Sequence, residues 1–473
     1  MKKFIVVLGF GILVLGFLAG GCGWSAARVV RSVLSAQYSA LSFDSKLFGW
    51  CFNGLPLVDK LGQILDNKNY IVILQNNREL RPTGGFMGSY ARINAQCSML
   101  NADRTIALRE QCGIKDFEIQ DIYVPDGQLV GHVDPPLPIQ QAFGQGWWKL
   151  RDSNWDTDFI AAAPQIAWFF EQGGEKVDGI IAINLQLVTS LLGILGEVKP
   201  TDYGDIVTTK TFYNLAQKHA EENFFPGSTQ KRDFLGAVGN ALFKRILQSG
   251  LIEKIKLVKL VWQELKRGEI LVWFKDPVLQ EVIKQRRWDG GLGNLPIGGD
   301  YLYIVETNLG ANKANCCIDR QVTQETDNLQ TKLTIKYQNN NLFENPKPPV
   351  FWGGNYINYL RIIIPKSVGI KSVKVGDKYL VEKPLDNVYG IQEDRYQVED
   401  RGEFQIIGFW AVVSAQGLIN VELIYDLRFV NDDEYSVVVK HQPGMDSFVY
   451  NLIYNGKIIE SAQIDRDTSF VVH

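Results

Sequence analysis

An apolar run from Phe4 to Gly21 follows Lys2 and Lys3, and it is long enough to span a bilayer. The pattern then turns periodic. Val29, Val30, Val33, Leu34, Tyr38 and Leu41 recur at helical intervals, and a second short helix over about 55–66 carries Leu57, Leu61, Ile64 and Leu65. Tyr70–Leu74 is a continuous apolar run closed by polar residues, the mark of a strand buried on both faces. Val177–Ile183 reads the same way. Asn184 then stands where a helix cap belongs, Leu187, Val188, Leu191, Leu192 and Leu195 make one stripe, and Gly196 is placed to end the helix. A further helix is predicted after Ser228, with Phe234, Leu235, Val238, Leu242, Phe243, Ile246 and Leu247 as its apolar side. This alternation predicts an α/β domain over 67–312, helices covering a central sheet.

Beyond Asn312 helical periodicity stops. Lys332–Tyr337, Tyr359–Ile364, Phe404–Val413, Val421–Leu427 and Tyr435–Val439 alternate or are β-branched, with turn-forming stretches such as Asn339–Asn341 between them. An all-β, immunoglobulin-like sandwich over 313–473 is expected. The expected organisation is therefore an anchor or lipoprotein signal at 1–24, a helical juxtamembrane segment at 25–66, the α/β domain and the sandwich.

Two readings of the amino terminus stay open. Leu18-Ala19-Gly20-Gly21-Cys22 resembles a bacterial lipobox, with lipidation at Cys22, although the leucine stands four residues before the cysteine instead of three. The length of the run favours an uncleaved anchor helix. Either way the body of the chain is expected at the extracytoplasmic face of the cell membrane. That location permits disulfides: Cys97 and Cys112 could staple a hairpin, whereas adjacent Cys316 and Cys317 are expected not to pair with each other.

Composition narrows the function. Lys plus Arg total 49 against 52 Asp plus Glu, so no overall charge favours nucleic acid. The four histidines are scattered and no C-x-x-C pair occurs, which removes the common zinc and dithiol motifs. No nucleophile elbow is present.

The segment Asn76-Asn77-Arg78-Glu79-Leu80-Arg81-Pro82-Thr83-Gly84-Gly85-Phe86 is the most informative. Pro82 disfavours helix before it, and Gly84 and Gly85 open backbone angles closed to other residues. A strand running into a glycine turn beside arginines can offer N–H groups and guanidinium forks to an anion such as phosphate. Equally, Glu79 and Arg81 can pair for structure alone. Arg151-Asp152-Ser153-Asn154-Trp155-Asp156-Thr157-Asp158 is acidic enough to hold magnesium through Asp152 or Asp158, or to cap a helix before Phe159. Lys231 and Arg232 fall in a helix's first turn, where the dipole disfavours cations and a bound anion would compensate. Trp147 and Trp148 could stack on sugars or simply pack.

The first of these motifs closely resembles the signature of a bacterial domain-of-unknown-function family of membrane-anchored, exported proteins. Further matches are Arg151–Trp155 with Asp158, Val177–Ile180, Trp288–Gly290, Asp300–Leu302, Asn308–Gly310 and Lys313. More distantly, the order of segments is similar to that of LytR-CpsA-Psr proteins, which transfer glycopolymers from a polyprenyl-diphosphate lipid to the cell wall. The corresponding parts are Ile71–Gly85, Val177–Gly196 and Ser228–Asp233; Asn76, Asn77 and Glu79 stand where that family has an aspartate, and Lys231-Arg232 are adjacent where its arginines are spaced. The resemblance implies Arg81 and Asp152 as catalytic residues and Asn77, Glu79, Gly84, Gly85, Arg151, Lys231 and Arg232 as substrate contacts. The implied partner is a polyprenyl-phosphate lipid or a cell-wall glycan. The competing expectation is a non-catalytic surface protein that binds a glycan or a partner.

Overall fold

The computed structural model describes residues 63–64, 67–99, 110–144, 146–221, 230–296, 299–327, 329–346, 353–427 and 435–472, without the side chains of 97–99, 110–117, 221 and 231. The expected anchor, Cys22 and the helix at 25–42 lie outside these residues, as does most of the helix at 55–66. No helix among the described residues is long and apolar enough to cross a membrane.

The first region is built on five strands. β1 (Lys68–Asn76) pairs antiparallel with β2 (Phe86–Met99), which pairs antiparallel with β3 (Glu110–Asp121). On its other side β1 pairs in parallel with β4 (Gly179–Asn184), and β5 (Ile270–Phe274) closes the order β3-β2-β1-β4-β5. β1 is buried on both faces, as its unbroken apolar run requires. Ile71 and Ile73 pack with Met87, Tyr90 and the helix Phe159–Gln172. Tyr70 and Val72 face the opposite layer of helices.

Among the described residues the helices that accompany this sheet include α1 (Tyr123–Asp126), α2 (Leu137–Phe143), α3 (Phe159–Gln172), α4 (Leu185–Leu195), α5 (Phe212–Glu221), α6 (Gln230–Gln248), α7 (Leu251–Arg267) and α8 (Pro277–Gln285). The caps follow the sequence. Asn184 accepts from Gln186 N at 3.0 Å, and Gly196 ends α4 at φ +80°. Asp158 accepts from Ile160 N at 2.9 Å and starts α3. Ser228, expected to cap α6, lies outside the described residues.

The second region is β-rich. Two seven-stranded sheets enclose one core, to which Leu302, Val322, Ile335, Ile362, Phe409, Leu423, Val437 and Tyr450 contribute. The first strand, β6 (Asp300–Val305), lies in the middle of one sheet between Tyr356–Pro365 and Tyr435–Lys440. The β-rich region therefore begins at Asp300, ahead of the boundary expected at 312. The alternation signal misses β6 because all six of its residues are buried.

Cys316 and Cys317 are joined to each other, against expectation. The short 3-10 turn Ala314–Cys317 carries them, whereas an extended backbone would hold the two side chains apart. The register of β2 and β3 sets Cys97 opposite Cys112. Whether they are bonded lies outside the described side chains.

Candidate functional site

The loop between β1 and β2 is the joint of the molecule. Glu79 N bonds Asn76 O at 3.1 Å, Gly84 N bonds Arg81 O at 3.0 Å and Phe86 N bonds Glu79 O at 2.8 Å, which folds Asn76–Phe86 into a compact knot. Gly85 sits at φ +155°, and a Cβ there would overlap the backbone of Asn76. Asn154, from the second acidic motif, locks the same turn: its Nδ2 donates to Thr83 Oγ1 at 3.0 Å and to Gly85 O at 2.9 Å.

The knot is inserted into the β-rich region. Leu80, 1 % exposed, belongs to the core of that region. Its N–H donates to Asn315 Oδ1 at 3.0 Å and its carbonyl accepts from Asn308 N at 3.0 Å. Gln442 Nε2 donates to Arg81 O at 3.0 Å. Asn77 Nδ2 donates to Gly444 O at 3.2 Å, so this residue fastens the two regions together.

Beside the knot lies a cleft of about 490 Å³. Its polar wall includes Glu79, Arg81, Asp121, Tyr123, Arg151, Asp152 and Lys313. Leu74, Phe86, Phe143, Leu185 and Leu235 supply an apolar wall. Arg81 Nη2 is 3.2 Å from both Glu79 Oε1 and Asp152 Oδ1, and its Nη1 donates to Asn308 O. Its Nε is buried without a hydrogen-bond partner. Arg151 donates to Asp126 Oδ2 at 2.8 Å, lies 3.7 Å from Asp152 Oδ2 and stands over the Tyr123 ring. Asp126 also accepts from Leu150 N at 2.6 Å, which fixes the 3-10 turn Leu150–Asp152.

Three cations and three carboxylates line this cleft. Burial pushes the Glu79 carboxyl up, against the pull of Arg81 and Lys313. Burial likewise raises Asp126 and the Tyr123 hydroxyl. The cleft thus combines two guanidinium groups, an ammonium and three carboxyl groups with an apolar flank.

Of the residues singled out in the sequence, Glu79, Arg81, Arg151 and Asp152 meet at the cleft. Asn77, Gly84 and Gly85 are not among its lining; hydrogen bonding and backbone geometry give them the work of shaping the knot. Arg232 is not among the cleft's lining, and its side chain pairs with the neighbouring Asp233 at 3.0 Å. The Lys231 side chain lies outside the described ones. Of the two alternative magnesium ligands, Asp152 is engaged by two arginines in the cleft, while Asp158 caps α3 and is not among the cleft's lining. No group of three His, Cys, Asp or Glu side chains among the described residues could hold a metal ion. Trp148 packs edge-on against Phe169 and donates to Asp152 O at 3.1 Å, whereas Trp147 is half exposed.

Sequence reasoning assigned no role to Lys313, Tyr123 and Asp121. Lys313 was visible only as part of the family resemblance, because nothing local says that the turn after β6 folds back over the β1–β2 knot.

Comparisons place the chain among known proteins only in part. A crystal structure of protein gbs0355 from Streptococcus agalactiae aligns over 49 % of this chain and 75 % of its own, at 10 % identity and a TM-score of 0.28. No curated protein matches. Residues 66–220, which hold β1, the knot and the Arg151–Asp158 segment, match the model of a family described as a protein of unknown function, DUF4012.

Proposed function

We propose that the cleft binds the phosphate end of an envelope glycolipid, a glycan linked through diphosphate to a polyprenyl carrier, at the extracytoplasmic face of the cell membrane. One observation carries this reading: Arg81, Arg151 and Lys313 share a single cleft with an apolar wall of Leu74, Phe86, Phe143, Leu185 and Leu235. A diphosphate lipid needs both surfaces. Guanidinium groups supply paired donors to phosphate oxygens, and the apolar wall takes the first isoprene units. A volume of about 490 Å³ suits the headgroup and the start of the tail, so the rest of the lipid would stay in the membrane.

Within this reading the chain resembles LytR-CpsA-Psr proteins in activity as well as in segment order. A wall hydroxyl would form an O–P bond to the glycan-bearing phosphorus as the P–O bond to the polyprenyl phosphate breaks, its proton passing to solvent, while Arg81 and Arg151 stabilise the charge on the departing phosphate. Asp152, held by both arginines, orients them. The immunoglobulin-like reading of the sandwich gives it the task of holding wall glycan or a partner protein.

A second reading is favoured by the same ion pairs. Every cleft arginine already has carboxylate partners, which suits a site that binds without turning over. Calorimetric titration of the full chain with a polyprenyl diphosphate tests binding, and release of polyprenyl phosphate in the presence of wall acceptor tests transfer. Arg151→Ala should weaken binding roughly ten- to a hundredfold, the value of one charge-assisted phosphate contact, and Arg232→Ala should not. Absence of binding by the unaltered chain, or equal binding by the Arg151→Ala variant, would overturn the proposal.

A further inference from the structure

The corner between α6 and α7 carries a surface with no role in the cleft. Leu247, Leu251 and Ile252 are 52 %, 59 % and 73 % exposed, three large aliphatic side chains gathered at one turn. Neighbouring apolar residues of the same helices, Leu242, Ile246 and Leu257, are buried in the core, so the helices have already satisfied their packing face. The exposed three lie beyond it, at the tip.

The tip is rigid. Ser249 Oγ donates to Ile246 O at 2.6 Å, and Gly250 N donates to Glu253 Oε2 at 3.0 Å. Arg245 Nη2 bonds Glu253 Oε1 at 3.0 Å, clamping the end of α6 to the start of α7. Presenting the aliphatic groups therefore costs little ordering entropy. On the same two helices, within about two turns of the tip, Lys244, Lys256 and Lys259 are exposed and Lys254 is half exposed. Among the described residues none of these four is in an ion pair; the one acidic residue at the corner, Glu253, is taken by Arg245.

We propose that this corner seats on an anionic lipid bilayer, with Leu247, Leu251 and Ile252 entering the headgroup–acyl boundary and the lysines meeting lipid phosphates. Aliphatic residues at a tip, with lysines on the helices that carry it, are the composition of an interfacial membrane contact. Charge chooses this occupant over a protein groove, since four lysines with no ion pair among the described residues, on the two helices that carry an apolar tip, match a phosphate-covered surface. The contact would orient the body on the membrane independently of the expected anchor. α6 also brings Leu235 to the cleft, about 18 Å along the helix from Leu247 at 1.5 Å per residue, so one helix would set the cleft's height above the lipid.

The test uses the full chain in nanodiscs of 30 % phosphatidylglycerol and 70 % phosphatidylcholine, lipid fractions typical of such assays at roughly one anionic lipid in three. A photo-reactive p-benzoylphenylalanine is placed at position 252, and in a control at position 418, an exposed site in the β-rich region. Irradiation should give adducts with the mass of a lipid at 252 and not at 418. Combining Lys254→Glu with Lys256→Glu should lower the adduct yield at least about fivefold. Lipid adducts equal at both positions, or none at 252, would overturn the proposal. So would an adduct of protein mass at 252 in membranes of expressing cells, which would assign the corner to a protein partner.

Discussion

Arg81 Nη2 lies 3.2 Å from Asp152 Oδ1, with both side chains 3 % exposed. Seventy-one residues separate the two, and neither can be buried charged without the other or an equivalent partner. This contact ties the β1–β2 knot to the turn before α3, while the Nη1 bond to Asn308 O ties the knot to the β-rich region. A residue that reads as a ligand contact is thus also a structural clamp.

That double role predicts a stability effect. Arg81→Ala takes from the buried Glu79 and Asp152 the cation they share, leaving Asp152 only the longer contact to Arg151, and should cost about 3–5 kcal/mol. Arg151, a quarter exposed at its side chain, should cost about 1 kcal/mol or less when changed to alanine. Urea denaturation of both variants checks the contrast; an Arg81→Ala variant as stable as the unaltered chain would refute the clamp.

Gly444 and Gly456 give a matched pair. Their φ angles are +74° and +75°, so alanine pays a similar backbone penalty of about 1 kcal/mol at either place. A Cβ on Gly456 meets nothing within 4 Å, whereas one on Gly444 overlaps the carbonyl of Gly84 in the knot. Gly444→Ala should therefore melt well below Gly456→Ala. Equal melting temperatures would mean that the knot and the 441–445 loop are not packed as described.

Glu269 predicts a pH effect. It accepts from Gly444 N and Asn184 Nδ2 across the same joint, and burial pushes its carboxyl up to about 7. A carboxyl raised in the folded state binds its proton more tightly there than in the unfolded chain. Its contribution is complete below about pH 4.5 and is lost as pH rises through 7. Asp300, raised to about 6 by burial, and His441, lowered to about 4 by burial, also titrate in this range. The difference between Glu269→Gln and the unaltered chain removes their shared part. That difference should shift in the variant's favour by up to roughly 3 kcal/mol from pH 5 to pH 8. A pH-independent difference would show that Glu269 is ionised at no cost.

The position of β6 predicts which fragment folds. Residues 300–473 should melt cooperatively with β-type circular dichroism. Residues 313–473 lack the strand between Tyr356–Pro365 and Tyr435–Lys440 and should not. A cooperative melt of the shorter fragment would show β6 to be dispensable.

Much of the architecture was legible in the chain itself. The unbroken run Tyr70–Leu74 requires a strand covered on both faces, and helices cover both. Asn184 and Gly196 bound α4 because their side-chain and backbone chemistry act locally. The loss of helical period after residue 312 marks a β-rich region for the same reason: period is a property of neighbouring residues. Arg81, Glu79, Arg151 and Asp152 could be singled out because charges beside a glycine turn and at an element end are unusual whatever surrounds them. What only the tertiary structure decided is which of these meet. Asn77 and Gly84 stand in the same motif as Arg81, yet they face the 441–445 loop and not the cleft. Lys313 reaches the cleft, while Arg232 pairs with the residue next to it. Asp158 turns to the backbone of α3 and Asp152 to two arginines. The order in which distant segments pack, and the desolvation that follows, is set by the whole core and leaves no mark on any short stretch of sequence. For that reason the elements could be read in advance, and the cleft had to be seen.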